Sequence, residues 1–261
     1  MKTHLTLFFG SSGFAVLAAV GCGLLSPVST GLAASGATAT SLVEEDFSAV
    51  VLTEAATLND LVRRLPILSR AHEEDLAGLS AIQETMLLHE RRMRGEGLPG
   101  DFPARFSDLY SSIVTAIVDD RVTMAYGREL LTLHRQLIDR ACGWQARGAR
   151  DADYAALILE AIAEVKTELL SQSEPLAVVP DCVRTPVVKG HLLWIEELLV
   201  ADCHCRVLSR GESGALRLMA QRIERFSGYY KRDLHLTRIE RANLHERLIE
   251  LNRELIDALR R

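Results

Sequence analysis

The chain has 261 residues, 48% of them hydrophobic but only 5% aromatic, and a formal charge of −5. So few aromatics beside abundant Leu, Ala, Glu and Arg argue against an all-β sandwich or barrel. An acidic balance argues against a protein that coats nucleic acid, so no nucleic-acid partner is expected.

Residues 1–25 form a signal or anchor segment. Lys2 is the one firm charge of Met1–His4, and Leu5 to Leu25 carries none. About 20 apolar residues span a bilayer, so an uncleaved transmembrane anchor competes with a signal peptide. Ala19-Val20-Gly21-Cys22 resembles the bacterial lipobox, in which small residues precede a cysteine that becomes the lipidated N-terminus. The resemblance covers residues 1–22 and implies a lipid on Cys22. Ala37-Thr38-Ala39 is an alternative A-x-A exit for ordinary signal peptidase. Cleavage at Cys22, cleavage after Ala39 and no cleavage share one orientation. No Lys or Arg follows the apolar run until Arg63, so Lys2 stays in the cytoplasm and the body crosses. The expected location is the periplasm or cell surface, with membrane attachment by lipid or anchor. Residues 26–40 are small and uncharged, the composition of a flexible tether.

Helical spacing organises the rest. Ser41-Leu42-Val43-Glu44 has the form of a capping box. Leu58, Leu61, Val62, Leu65 and Leu68 keep helical spacing, interrupted by Pro66. Leu76, Leu79, Ile82, Met86 and Leu87 form the next apolar stripe, ended by Gly95, Gly97, Pro99 and Gly100. Asp101 is placed to cap a helix with Phe106, Leu109, Tyr110, Ile113 and Ile117 inward, broken at Asp119-Asp120. A stripe from Leu130 through His134 to Ala141 follows, then one with Leu157, Ile158, Ile162, Val165 and Leu169. Three prolines in 171–190 predict a long loop. Beyond it, Leu192, Ile195, Leu198 and Leu199 resume the spacing, and Leu216, Met219, Ile223 and Phe226 continue it. Leu244, Leu248, Leu251 and Leu255 are spaced 4, 3, 4, two heptads that suit either packing on the bundle or pairing with a partner chain. The expected fold is an all-α multi-helix bundle of six to eight helices. Its body runs over 41–170, with 191–261 packing on the same bundle or forming a second sub-bundle.

Cysteine and histidine placement supplies the candidate sites. With Cys22 lipidated, Cys142, Cys182, Cys203 and Cys205 remain as disulfide candidates, and Cys182 with Cys203 or Cys205 is the expected bridge. Positions i and i+2 of a helix point about 200° apart, so Cys203 and Cys205 do not pair with each other. His134, His191, Cys203 and Cys205 are weak metal candidates, because C-x-C on a helix aims its sulfurs apart. His134 lies inside an apolar stripe, as a hydrogen-bonded core residue does. His89-Glu90 is expected at the solvated surface. No G-x-S-x-G, phosphate loop or H-E-x-x-H occurs, and no cofactor is implied. Segment 221–261 is basic, with ten Lys and Arg against seven Asp and Glu, and Tyr229-Tyr230 adjoins Lys231-Arg232. Such a cluster suits anionic lipid or an acidic partner. The expected function is a membrane-tethered, non-enzymatic binding or structural module of the cell envelope, with a protein partner or a second copy. The competing expectation is a ligand- or metal-binding bundle with its site near His134 and residues 182–205.

Overall fold

Leu244, Leu248, Leu251 and Leu255 are all 0% exposed, so the terminal leucine seam is filled by this chain itself. It belongs to the last of the seven helices found among the described residues of this computed structural model. The structure describes residues 58–59, 76–147, 152–173, 183–205 and 207–259, without the side chains of 76–79, 152 and 203–205. In chain order the helices are α1 (Leu76–Met93), α2 (Phe102–Val118), α3 (Met124–Ala146), α4 (Ala152–Ser173), α5 (Pro186–Cys205), α6 (Arg210–Tyr230) and α7 (Arg238–Leu259). Helix makes up 84% of the described residues and no strand occurs among them, which is the all-α bundle that the periodicity predicts. No helix among the described residues is long and apolar enough to cross a membrane.

All seven helices belong to one compact unit, Glu44–Arg261. The signal segment, Cys22, the tether and the Ser41–Glu44 capping box lie outside the described residues. Helix α2 packs on α3 and α4, α5 lies against α1, α2 and α6, and α7 closes on α6, α1 and α5. Trp194 of α5, 1% exposed, is the largest fully buried side chain.

Local sequence explains the helix ends. Gly95 takes a left-handed φ of 66°, and the amides of Gly95 and Glu96 return to the carbonyls of Arg92 and Arg91, so α1 ends in a Schellman turn. Ser209 and Glu212 form a reciprocal capping box before α6. Thr237 and Glu240 make the same exchange before α7, with Thr237 N donating to Glu240 Oε2 at 2.8 Å and Glu240 N to Thr237 Oγ1 at 3.2 Å. Asp101 stands at the N-cap of α2 without a capping hydrogen bond. Its carboxylate accepts from Arg105 instead, one turn on, and Pro103 within the first turn removes one amide that needed a partner.

Three details correct the sequence expectations. The predicted loop 171–190 is shorter, because α4 runs through Ser173 and α5 opens on Pro186. A proline is favoured at the first helical position, where its missing amide costs nothing. Leu157 is 48% exposed and Leu87 46% exposed, so neither joins the inner stripe of its helix.

Polar ties hold the helices in register. Asp120 ends α2 with a left-handed φ of 60°, and its carboxylate meets Lys189 at 2.6 Å and Lys231 at 3.4 Å. Lys189 also donates to the Ile117 carbonyl at 3.1 Å, satisfying one of the acceptors exposed at the end of α2. Arg128 of α3 forks between Glu196 of α5 and Glu224 of α6, with Nε to Glu196 Oε2 at 2.7 Å and Nη2 to Glu224 Oε2 at 2.6 Å. Helices α2 and α3 approach so closely that a Cβ on Gly127 would lie 2.3 Å from Ile117 Cγ1.

Candidate functional site

Ile82, Met86, Glu90 and Met93 share one face of α1, at intervals of four, four and three residues, and all are buried. A carboxylate therefore enters the core at the third position of an apolar stripe. Glu90, 1% exposed, accepts from Asn59 N at 3.0 Å and Asn59 Nδ2 at 3.4 Å. Trp194 Nε1 donates to Asn59 Oδ1 at 3.1 Å, so the Asn59 amide bridges α1 and α5. Leu58 beside it is fully buried. These contacts fasten the short stretch at 58–59 to the bundle.

The neighbouring His89 faces a second buried carboxylate. Its Nε2 lies 2.8 Å from Glu197 Oε2, and Arg135 Nη1 donates to Glu197 Oε1 at 2.8 Å. Burial alone would raise the Glu197 carboxyl. The His89 hydrogen bond and the Arg135 charge outweigh it and hold the carboxyl below its ordinary range. His89 and Arg135 line a small pocket of about 80 Å³ with Arg92, Met93, Ile138, Asp139 and Val200, and Arg92 and Asp139 pair at 2.6 Å. The carboxylate fixes the imidazole as an oriented donor at the pocket wall, which is the geometry of a positioned acid–base group or of a structural ion pair.

His134 and Tyr110 lie deeper, with ring centroids 5.8 Å apart. His134 Nε2 donates to the Phe106 carbonyl at 3.1 Å, since a carbonyl can only accept. Burial lowers its pKa to about 4 and keeps it neutral. Burial, reinforced by the charges of Glu197 and Glu90, raises the Tyr110 phenol well above its ordinary value. Tyr110 Oη and His134 Nδ1 make no hydrogen bond among the described residues. His191 is bonded elsewhere, Nε2 to Asn252 Oδ1 of α7 at 2.8 Å, and burial lowers it also to about 4.

The candidates from sequence thus separate. His134 engages α2 and His191 engages α7, each through its own hydrogen bond, and the described residues contain no group of three or more potential metal ligands. Cys142 is an exposed thiol on α3 with no disulfide partner among the described residues. Cys182 lies outside the described residues, as do the side chains of Cys203 and Cys205 in the last turn of α5. His89 and Glu90, expected on the surface, are instead buried or nearly so, with 8% of the His89 side chain exposed. The i, i+4 continuation from Met86 to Glu90 was the signal that the charged residue faces inward.

The turn between α6 and α7 presents the opposite chemistry. Tyr229, Leu234 and Ile239 are 61%, 66% and 82% exposed. The Arg232 guanidinium sits 5.3 Å from the centroid of the Tyr229 ring. Leu234 holds a left-handed φ of 57°, a conformation that favours glycine. Below this tip the hairpin is firm. Tyr230 Oη donates to Asn243 Oδ1 at 3.2 Å, and Arg247 stacks on Phe226 at 3.9 Å. No protein-family model, curated protein or solved structure matches the chain.

Proposed function

We propose that this chain is an exported, membrane-tethered helical module of the cell envelope that acts by binding, with the α6–α7 corner as its working surface. The observation that carries the reading is the corner itself. Three large apolar side chains are exposed about this turn, one of them under the Arg232 guanidinium and another held on left-handed backbone. Strain retained at an exposed apolar residue gains nothing for the core, and such outliers concentrate where a surface works. The export half of the reading is supported by Lys2, the uncharged run to Leu25 and Gly21-Cys22.

Cys142 offers the test. With Cys182, Cys203 and Cys205 changed to serine, a membrane-impermeant maleimide should label Cys142 in intact spheroplasts, and Cys142→Ser should remove that label. Labelling that appears only after lysis would place the body in the cytosol and overturn the export half. Tip variants of Leu234 and Ile239 should fail to rescue a deletion strain, and full rescue would overturn the binding half.

A second reading, a small-ligand or catalytic bundle, draws support from His89 and Arg135 at the pocket over Glu197. On that reading, His89→Gln and Arg135→Met lose rescue while the tip variants keep it.

A further inference from the structure

We infer that the α6–α7 corner docks on an anionic bilayer surface, inserting Leu234 and Ile239 at the depth of the lipid headgroups. The inference rests on the proposed tethered module and names the partner of its working surface.

Two features point to lipid. Tyr229, Leu234 and Ile239 lie in the α6–α7 turn and the helix ends that flank it, each more than 60% exposed. Three residues fall short of the 20 to 30 per side that a standard protein interface uses, roughly 800 Å² per partner. They match the scale of an interfacial anchor, in which a tyrosine sits at the headgroups and short aliphatic chains enter the acyl boundary.

Charge is the second feature. Arg225, Arg232 and Arg238 are exposed around the tip, and Lys231 and Arg241 lie at its base. The acidic residues among them are Asp233, Glu240, which caps Thr237, and Asp120, which Lys231 shares with Lys189. The corner is therefore net positive, and anionic lipid attracts basic groups of this kind within a Debye length.

The test uses the full chain with two kinds of vesicle, phosphatidylcholine alone and phosphatidylcholine mixed with phosphatidylglycerol, in a flotation assay. Variants share the same N-terminus, so differences between them report the corner. We expect preferential flotation with the phosphatidylglycerol vesicles, weakened by salt. Arg232→Glu should weaken it on the order of ten-fold. Leu234→Asp with Ile239→Asp should abolish the preference at unchanged helicity. Leu234→Gly relieves the backbone, so it should hold or raise Tm while weakening flotation, which separates the surface from folding. Equal flotation of all variants on both vesicles would overturn the inference. If the variants float as wild type but lose a protein cross-linked to the corner in envelope fractions, lipid docking fails and the binding-module reading survives. If they match wild type in flotation, cross-linking and rescue, both fail.

Discussion

His89 Nε2 and Glu197 Oε2 meet at 2.8 Å across 108 positions of sequence, joining α1 to α5 inside the bundle. Arg135 of α3 completes the contact, so one carboxylate answers to three helices. Removing a partner from a buried charged group strands the others, which costs more than the pairing gains. Glu197→Ala should therefore lower unfolding free energy by about 3 kcal/mol in a urea titration, and Glu197→Gln, which keeps an acceptor, by less. A Glu197→Ala variant as stable as wild type would show that the triad holds nothing together.

Acid should loosen the bundle through its core histidines. Both His134 and His191 are lowered from 6.5 to about 4 by burial. The unfolded chain takes up these protons near pH 6.5, while the folded chain refuses them until about pH 4. Stability is thus full above the unfolded value, falls between pH 6.5 and 4, and levels off below. Each histidine accounts for about 3 kcal/mol of that loss. Glu197, held below its ordinary range, adds a loss of the same sign at lower pH. Thermal melts of His134→Leu across this window should show a shallower acid slope than wild type. An unchanged slope would mean His134 is not held neutral by burial.

Gly127 sets the spacing of α2 and α3. A methyl there meets Ile117 Cγ1 and Cδ1 at 2.3 and 2.5 Å, far inside contact distance. Overpacking of this kind costs about 1–3 kcal/mol, and Gly127→Ala should lose that much despite its better helix propensity. Ile117→Ala leaves a cavity, and combining the two should cost less than the sum of the single changes. Strict additivity in the double-mutant cycle would contradict the close approach.

Arg128 depends on its shape as well as its charge. Its fork reaches Glu196 and Glu224 at once, and a lysine ammonium offers no planar fork to do so. Burial raises the Glu196 carboxyl, against the pull of Arg128. Arg128→Lys should consequently destabilise the bundle by about 1 kcal/mol or more at neutral pH, with part of the loss recovered by Glu196→Gln. No recovery in the double variant would assign the loss to packing instead.

The helices were legible because leucine spacing is a geometric signal. Phe106, Leu109, Tyr110, Ile113 and Ile117 fall inward as the 3.6-residue period demands. Less legible was the polar core. Glu90 continues the Ile82–Met86 stripe by position, yet its charge suggested solvent, and its meeting with Asn59 depends on a segment 31 residues away. Glu197 needed His89 and Arg135 from two distant helices, which no local pattern reports. His134 was readable as a core histidine because its apolar neighbours surround it on one helix face. The exposed tip combined both cases. Tyr229 and Arg232 stood out in the sequence, whereas the left-handed turn at Leu234 depends on how α6 and α7 are joined.

Lys231 begins the α6–α7 turn, and its ammonium is pinned with Lys189 on Asp120 at the end of α2. The exposed corner is consequently a prong bolted to a three-helix joint. Whatever seats on the corner therefore bears on α2 and α5 as well as on α6. Asp120→Ala would remove the carboxylate that the two ammoniums share and leave Lys189 and Lys231 facing each other without a counter-charge at the root of the corner.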